Sequence, residues 1–535
     1  MSSLLGTLGL IRFILRRDRL YLPLWIIGLV TLSVFFVPML PDMVGDEASK
    51  QALVETMKNP AMTMMVGPAF GSSYTLGAMY AQFMLVWVAL GYGIMNVMFV
   101  IRHTRKDEEE GRLEMIGALP IGRNANLLAS LLVILAANVL IALLTAATIP
   151  AFGVETIDFT GGLSYAFALS ACGFSFAGIA ALCSQITTRA RGALGLGLAL
   201  LGCAYLLRAM GDADANLELL SWISPLGAAS RCEPFVGNLY WPVLLLFAEG
   251  LVFSGLSFAF SSARDIGAGL LPQRRGRAHA SVLLRGEWSL AWRELRGTVI
   301  AWLVVCFVFS AAYGSVMGEM NAFIENNEMY QALVGVGGST SDITNPVISM
   351  LMLIMSMIAT IPVISAISRL RSEERRGRLE QLLAKPVSRS YLFAGYFVIA
   401  VATAVLMMLA NAFGFWLAAS STLSEPMDMG LVFKVTASYL PAVIAFAGLA
   451  AFLAGALPRL ISLAWVFLVY SFLAVYIGRT MDLPQWVARA TPFGLLPSYP
   501  MDAFDWPLAI ALVGVSVAIA ALGAIVYRQR DMSAL

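Results

Sequence analysis

Long apolar runs broken by short charged islands set the pattern of this chain. Twelve windows of about 18–25 mostly apolar residues can be drawn, each long enough to cross a ~30 Å hydrocarbon layer. They lie near residues 20–40, 78–101, 125–149, 161–186, 192–208, 239–262, 298–317, 346–368, 391–419, 431–456, 460–478 and 506–527. A helix satisfies its own backbone hydrogen bonds in lipid, so runs of this length predict spanning helices. The expected fold class is an all-α polytopic membrane protein of about 12 helices.

The polar positions carry a second pattern. Arg105 to Arg123 (RKDEEEGRLEMIGALPIGR) and Arg371 to Arg389 (RSEERRGRLEQLLAKPVSR) lie 266 residues apart and agree at nine of 19 positions. Other landmarks recur in the same order. Arg16, Arg19 and Trp25 return as Arg293, Arg296 and Trp302, and Ser224-Pro225-Leu226-Gly227 as Thr491-Pro492-Phe493-Gly494. Trp241-Pro242 returns as Trp506-Pro507, and Arg264-Asp265 as Arg530-Asp531. Apolar helices that resembled each other by chance would not keep polar landmarks in register. The pattern predicts two fused copies of a six-span unit, residues 1–262 and 286–535, joined by a basic linker at 263–285 that contains PQRRGRAHA. An even span count lets both copies enter the membrane in the same sense, related by an axis along its normal.

Composition sharpens the class. The chain is 59% hydrophobic and 13% charged, about half the usual charged fraction, which excludes a soluble domain of ordinary design. With both termini cytoplasmic, all but seven of the 35 Lys and Arg residues fall in or beside cytoplasmic segments, as the positive-inside rule asks. Residues 4–19 mix apolar residues with a basic cluster and offer no cleavage site, so they read as an amphipathic helix on the inner surface, an arrangement expected again before the seventh span. The outer loops 209–238 and 479–505 carry Pro, Gly and Trp and are expected to form short helices dipping back towards the membrane. Four of the five cysteines lie in predicted spans and Cys232 stands alone in an outer loop, which excludes a disulfide framework or metal spacing.

Each charged island reads as a small device. The second span continues into a charged helical end, and Gly111 supplies a left-handed turn. A short helix follows with Leu113 and Ile116 on one face until Pro120 stops it. Arg123 is placed to snorkel towards headgroups. Gly377, Leu379, Leu382, Pro386 and Arg389 repeat the design. A merely solvated loop held by ion pairs has no reason to keep the same Glu, Gly, Arg, Leu, Glu and Pro twice.

The pattern E-x-x-G-R-L-E-x-(I/L)-x-A-x-P-(I/V)-x-R between the second and third spans resembles the ABC-2 (type V) exporter permeases. Among them it is similar to the fused two-half actinobacterial permeases linked to polyketide antibiotic export and multidrug efflux. That resemblance implies that the short helix is a coupling helix docking in a groove of a separate ATP-binding subunit. It implies docking positions at Glu108, Gly111, Arg112, Leu113 and Glu114 and at Glu374, Gly377, Arg378, Leu379 and Glu380. It also implies export of hydrophobic compounds across a bacterial plasma membrane, with ATP and Mg on the partner, in two copies, and no cofactor on this chain. Glu109-Glu110 and Arg375-Arg376 carry opposite charges at equivalent places.

The sequence holds no G-x-x-x-x-G-K-[ST] phosphate loop, and His103 and His279 have no metal-ligand or triad context. Catalysis is therefore not expected here. Glu249 in the sixth span is the sharpest candidate for a membrane-embedded polar site, because a carboxylate near mid-helix costs roughly 2.5–3.5 kcal/mol on insertion scales. Gln82, Asn96, Asn138 and Asn411 read as glue between helices. Methionines in the second and eighth spans would suit either varied apolar ligands or ordinary packing. A proton-coupled transporter of the major facilitator type, with twelve spans in two parallel halves, is the main alternative. That family also has a Gly-Arg motif between spans two and three, but the loop here is longer and follows a Glu cluster. A membrane anchor without transport would leave the duplicated islands unexplained.

Overall fold

A computed structural model describes residues 3–43, 60–70, 75–271, 279, 281, 284, 286–325, 340–384, 386–423, 426–477 and 484–530. In the basic linker, PQRRGRAHA apart from His279 lies outside the described residues. Among the described residues twelve helices are long and apolar enough to cross a membrane, and none forms a strand. The chain divides into two compact units, Met1–Gly276 and Arg277–Leu535. Each has its own apolar core.

The first unit holds spans at Tyr21–Met39, Leu76–Glu109, Ala125–Phe152, Phe159–Ile186, Ala190–Ala213 and Trp241–Ala263. The fourth is its axis, packed by the second, third and sixth. Small residues allow that closeness: a side chain at Gly178 would strike the carbonyl of Gly250, and one at Gly173 would strike Asn96. Asn96 and Asn138 exchange amide hydrogen bonds of 3.0 and 2.8 Å, tying the second span to the third. Gln82 donates to the Gly67 carbonyl at 2.7 Å. These residues act as the expected glue between segments.

Ahead of the first span, a separate helix at Thr7–Arg17 buries Leu10 and Ile14 against the third span and leaves Leu8, Phe13 and Leu15 exposed. Pro23 explains the separation. Its ring and missing N–H discourage a helix running through the residues before it. The backbone accordingly turns at Asp18 and a new helix starts at Tyr21.

The second unit holds spans at Glu287–Ser315, Thr344–Arg375, Arg389–Thr422, Met429–Ala456, Pro458–Tyr476 and Trp506–Gln529. The position matching Pro23 is Ile300. With no breaker, the stretch carrying Arg293 and Arg296 runs straight into the seventh span as one helix. The expected separate amphipathic helix is thus present in the first unit and merged in the second. Asn411 donates to the Met355 carbonyl at 3.1 Å, joining the ninth span to the eighth. Met352, Met355 and Met357, with Met95 in the first unit, are buried in the cores, so packing accounts for them.

The loop between the fifth and sixth spans contains the short helices Glu218–Ile223 and Pro225–Ser230, the second buried throughout. Gln485–Arg489 and Pro492–Leu495 occupy the corresponding loop of the second unit. Near the C-terminal end of the fifth span Arg208 is fully buried and donates to the carbonyls of Met64 and Met65, the last turn of the helix Pro60–Val66. Asp212 lies 3.5 Å from Arg208 and accepts from Ser221 at 2.7 Å.

Candidate functional site

The charged loops build a network of ion pairs and hydrogen bonds in each unit. In the first, the second span bends at Thr104, whose hydroxyl donates to Val100 at 2.6 Å, and continues as the short helix Arg105–Glu109. Gly111 takes φ 72°, a left-handed conformation that costs a glycine little. A six-residue helix, Arg112–Gly117, then lies ahead of the third span. Gly377 adopts φ 66° at the same place and starts the helix Arg378–Leu383.

Glu108 is the keystone. Its side chain is 4% exposed and receives two bonds from Arg264, at 2.6 and 2.7 Å, one from Arg105 at 2.8 Å and one from the Gly267 amide at 2.7 Å. Arg264 reaches on to the Gln185 side chain at 2.7 Å, at the end of the fourth span. Arg123 donates to the Arg264 carbonyl instead of reaching for headgroups. Glu374 pairs with Arg530 in the second unit, Arg530 donates to Ala454 and Gly455 at 3.3 Å, and Arg389 donates to the Arg530 carbonyl at 2.7 Å. The Arg-Asp motif after the sixth and twelfth spans therefore braces the loop between the second and third spans of the same unit. The sequence marked the motif as a landmark and gave no partner. Its hidden signal was the spacing, since Glu108 to Arg264 and Glu374 to Arg530 are both 156 residues.

The amphipathic helix of the first unit joins this face. Arg17 holds Asp107 through bonds of 2.6 and 2.9 Å. Asp18 lies 2.5 Å from His103 and 2.9 Å from Arg102. Burial pushes the Asp18 carboxyl up, but the bond to His103 and the charges of His103, Arg102 and Arg17 outweigh it and hold it below its ordinary value. The hydrogen bonds that Arg17 donates to Asp107 raise its pKa. His103 is thus the buried link between two elements, a role its sequence context did not disclose. In the second unit Arg369 stands in its place, 2.8 Å from Glu373 and 3.4 Å from Glu294.

The positions named from the sequence divide into two sets. Glu108 and Glu374 face inward as anchors. Arg112 binds Asp107 and Glu110, Arg378 binds Glu373 at 2.7 Å, Leu113 is half-buried and Leu379 is buried. Glu114 and Glu380 are exposed on the short helices, and Met115 and Leu119, which the sequence did not single out, are exposed beside Glu114. Glu249 is half-buried against Cys172 and Ser175 of the fourth span and has no cationic partner among the described residues. No group of His, Cys, Asp or Glu among the described residues could hold a metal ion.

Twelve spans with a buried ionic brace on one face of each unit define a multi-pass helical membrane protein built around two rigid surface loops. The family model described as the C-terminal domain of multidrug efflux system permease Rv1217c matches residues 5–260 and 284–528. The chain is also 32% identical over 541 residues, covering 99% of its length and 96% of the relative, to the multidrug efflux system permease protein Rv1217c of Mycobacterium tuberculosis (strain ATCC 25618 / H37Rv). The chain belongs to this multidrug efflux permease family. That places it with the exporter permeases and against the major facilitator alternative.

Proposed function

We propose that the chain is the permease of an ATP-driven exporter whose separate ATP-binding subunits dock on Arg112–Gly117 and Arg378–Leu383. The observation that carries this reading is the brace beneath each helix. A push on the exposed Glu114 face reaches Glu108 and, through Arg264 and Gln185, the ends of the second, sixth and fourth spans. A loop needed only for solubility has no use for such a linkage.

In this reading the two units are copies of one six-span design, and both termini and both short helices face the cytoplasm of a bacterial inner membrane. ATP and Mg belong to the partner, in agreement with a sequence that lacks a phosphate loop. The cargo is hydrophobic, as the multidrug efflux relative supports, and moves outward. Glu249 is its polar contact within the membrane.

Replacing Glu114 and Glu380 together by alanine should weaken recovery of the ATP-binding subunit about tenfold or more, because these carboxylates are exposed and form no ion pair among the described residues. Both lie on solvent faces, so thermal melting should shift by no more than about 0.5 kcal/mol. Unchanged co-purification and unchanged drug efflux in that double variant would count against docking at these helices.

A further inference from the structure

The two loops present different charge to the cytoplasm. Arg105 to Arg123 carries four basic and five acidic residues, whereas Arg371 to Arg389 carries six basic and three acidic. The difference concentrates at one step before each left-handed glycine, where Glu109 and Glu110 face Arg375 and Arg376 as equivalents.

The surroundings do not cancel it. Glu109 is used within its own unit, accepting from the Ala190 amide at 2.8 Å at the start of the fifth span, and Glu110 pairs with Arg112. Arg375 and Arg376 are exposed and have no carboxylate partner among the described residues. Behind them Arg371 is 8% exposed and its Nε makes no hydrogen bond; the charges acting on it are Arg375, Arg530 and Arg459, against a single carboxylate, Glu374, which is itself paired with Arg530. Its counterpart Arg105 is instead bonded to Glu108 and to the Gly267 and Ala268 carbonyls. The carboxylates of the first loop are bonded within their own unit, whereas Arg375 and Arg376 of the second have no carboxylate partner among the described residues.

Resting on the docking reading above, we infer that the second loop is met by a carboxylate-lined rim on the ATP-binding subunit, and that the two docking sites are unequal. Arg375 and Arg376 steer and hold that rim. A second copy of the same subunit meets the first loop, where Glu109 and Glu110 are already bonded within their own unit and offer the rim no cation. Charged rims of this kind act mainly through approach rate and salt dependence. One copy is therefore bound tightly and in a salt-sensitive manner under the second unit, and the other more weakly under the first.

The test uses the tagged full-length permease purified with its ATP-binding subunit, with the bound ratio measured at low and at high salt. Wild type should lose part of its bound subunit as salt rises. Arg375→Glu with Arg376→Glu should weaken low-salt binding about tenfold and remove most of the salt dependence. Arg375→Lys with Arg376→Lys should bind as wild type does. If the charge reversal impairs folding, Arg375→Gln with Arg376→Gln should show the same loss in smaller degree. Equal binding and equal salt slope in wild type and the Glu or Gln variants would overturn the proposal while leaving docking intact. Loss of co-purified anionic lipid, with the ATP-binding subunit unaffected, would overturn it in favour of a headgroup. Recovery of no such subunit with wild type would overturn the docking reading itself, and this inference with it.

Discussion

Glu108→Ala destabilises the first unit by about 3–5 kcal/mol, the range found when one partner of a buried ion pair is removed. The carboxylate accepts four hydrogen bonds, and the side chains it pairs are 1% exposed for Arg105 and 10% for Arg264. Without it the Arg105 and Arg264 guanidinium groups lose their shared carboxylate in a largely buried site. The expected readout is a clear fall in melting temperature and in the monodisperse fraction of the detergent-purified protein. Glu108→Gln, which keeps an acceptor but no charge, should fall between. Glu374→Ala should cost less, because among the described residues the Glu374 carboxylate is held by Arg530 alone and one of its oxygens makes no hydrogen bond. Equal melting of Glu108→Ala and wild type would show that the brace carries no stability.

A second large effect is expected where the tenth and twelfth spans touch. A side chain at Gly455 would fall on the carbonyl of Gly523, and backbone cannot yield as a flexible side chain can. Gly455→Leu therefore forces the helices apart, at a cost of about 1–3 kcal/mol or more for overpacking. The separation also withdraws the Ala454 and Gly455 carbonyls from Arg530, so the loop anchored by Glu374 should loosen as well. Gly514 in the twelfth span has open space where a side chain would stand. Gly514→Ala should accordingly melt at or slightly above wild type, since alanine is the better helix former by about 1 kcal/mol. The pair of variants is compared by thermal melting, and a Gly455→Leu protein as stable as wild type would refute the close approach.

Much of this architecture was legible because lipid imposes a simple rule. Runs of about 20 apolar residues must cross, and all twelve expected windows correspond to spans. The left-handed turns at Gly111 and Gly377 were legible for a similar reason, since few other residues tolerate that backbone. Pairing across the fold was less accessible. Glu108 was named as a docking position within a run of four acids, and only the packed structure shows that it and Asp107 are buried while Glu109 and Glu110 are exposed. His103 looked idle because its partner Asp18 is 85 residues away on a different helix. The merged helix before the seventh span could have been read from the absence of a proline matching Pro23, a local signal that the repeat of Arg and Trp landmarks obscured.

The division of the named loop residues into inward anchors and outward contacts alters what a mutation there means. Loss of function in Glu108 or Glu374 variants reports a damaged scaffold, whereas loss in Glu114, Glu380, Arg375 or Arg376 variants reports a damaged surface. The central claim is that this surface receives a separate ATP-binding subunit. The most direct measurement is to purify the tagged chain from native membranes and assay the preparation for ATP hydrolysis. The account predicts a co-purifying nucleotide-binding subunit with vanadate-sensitive hydrolysis that apolar drugs stimulate. A chain that purifies alone, ignores ATP and transports when a proton gradient is imposed would contradict it.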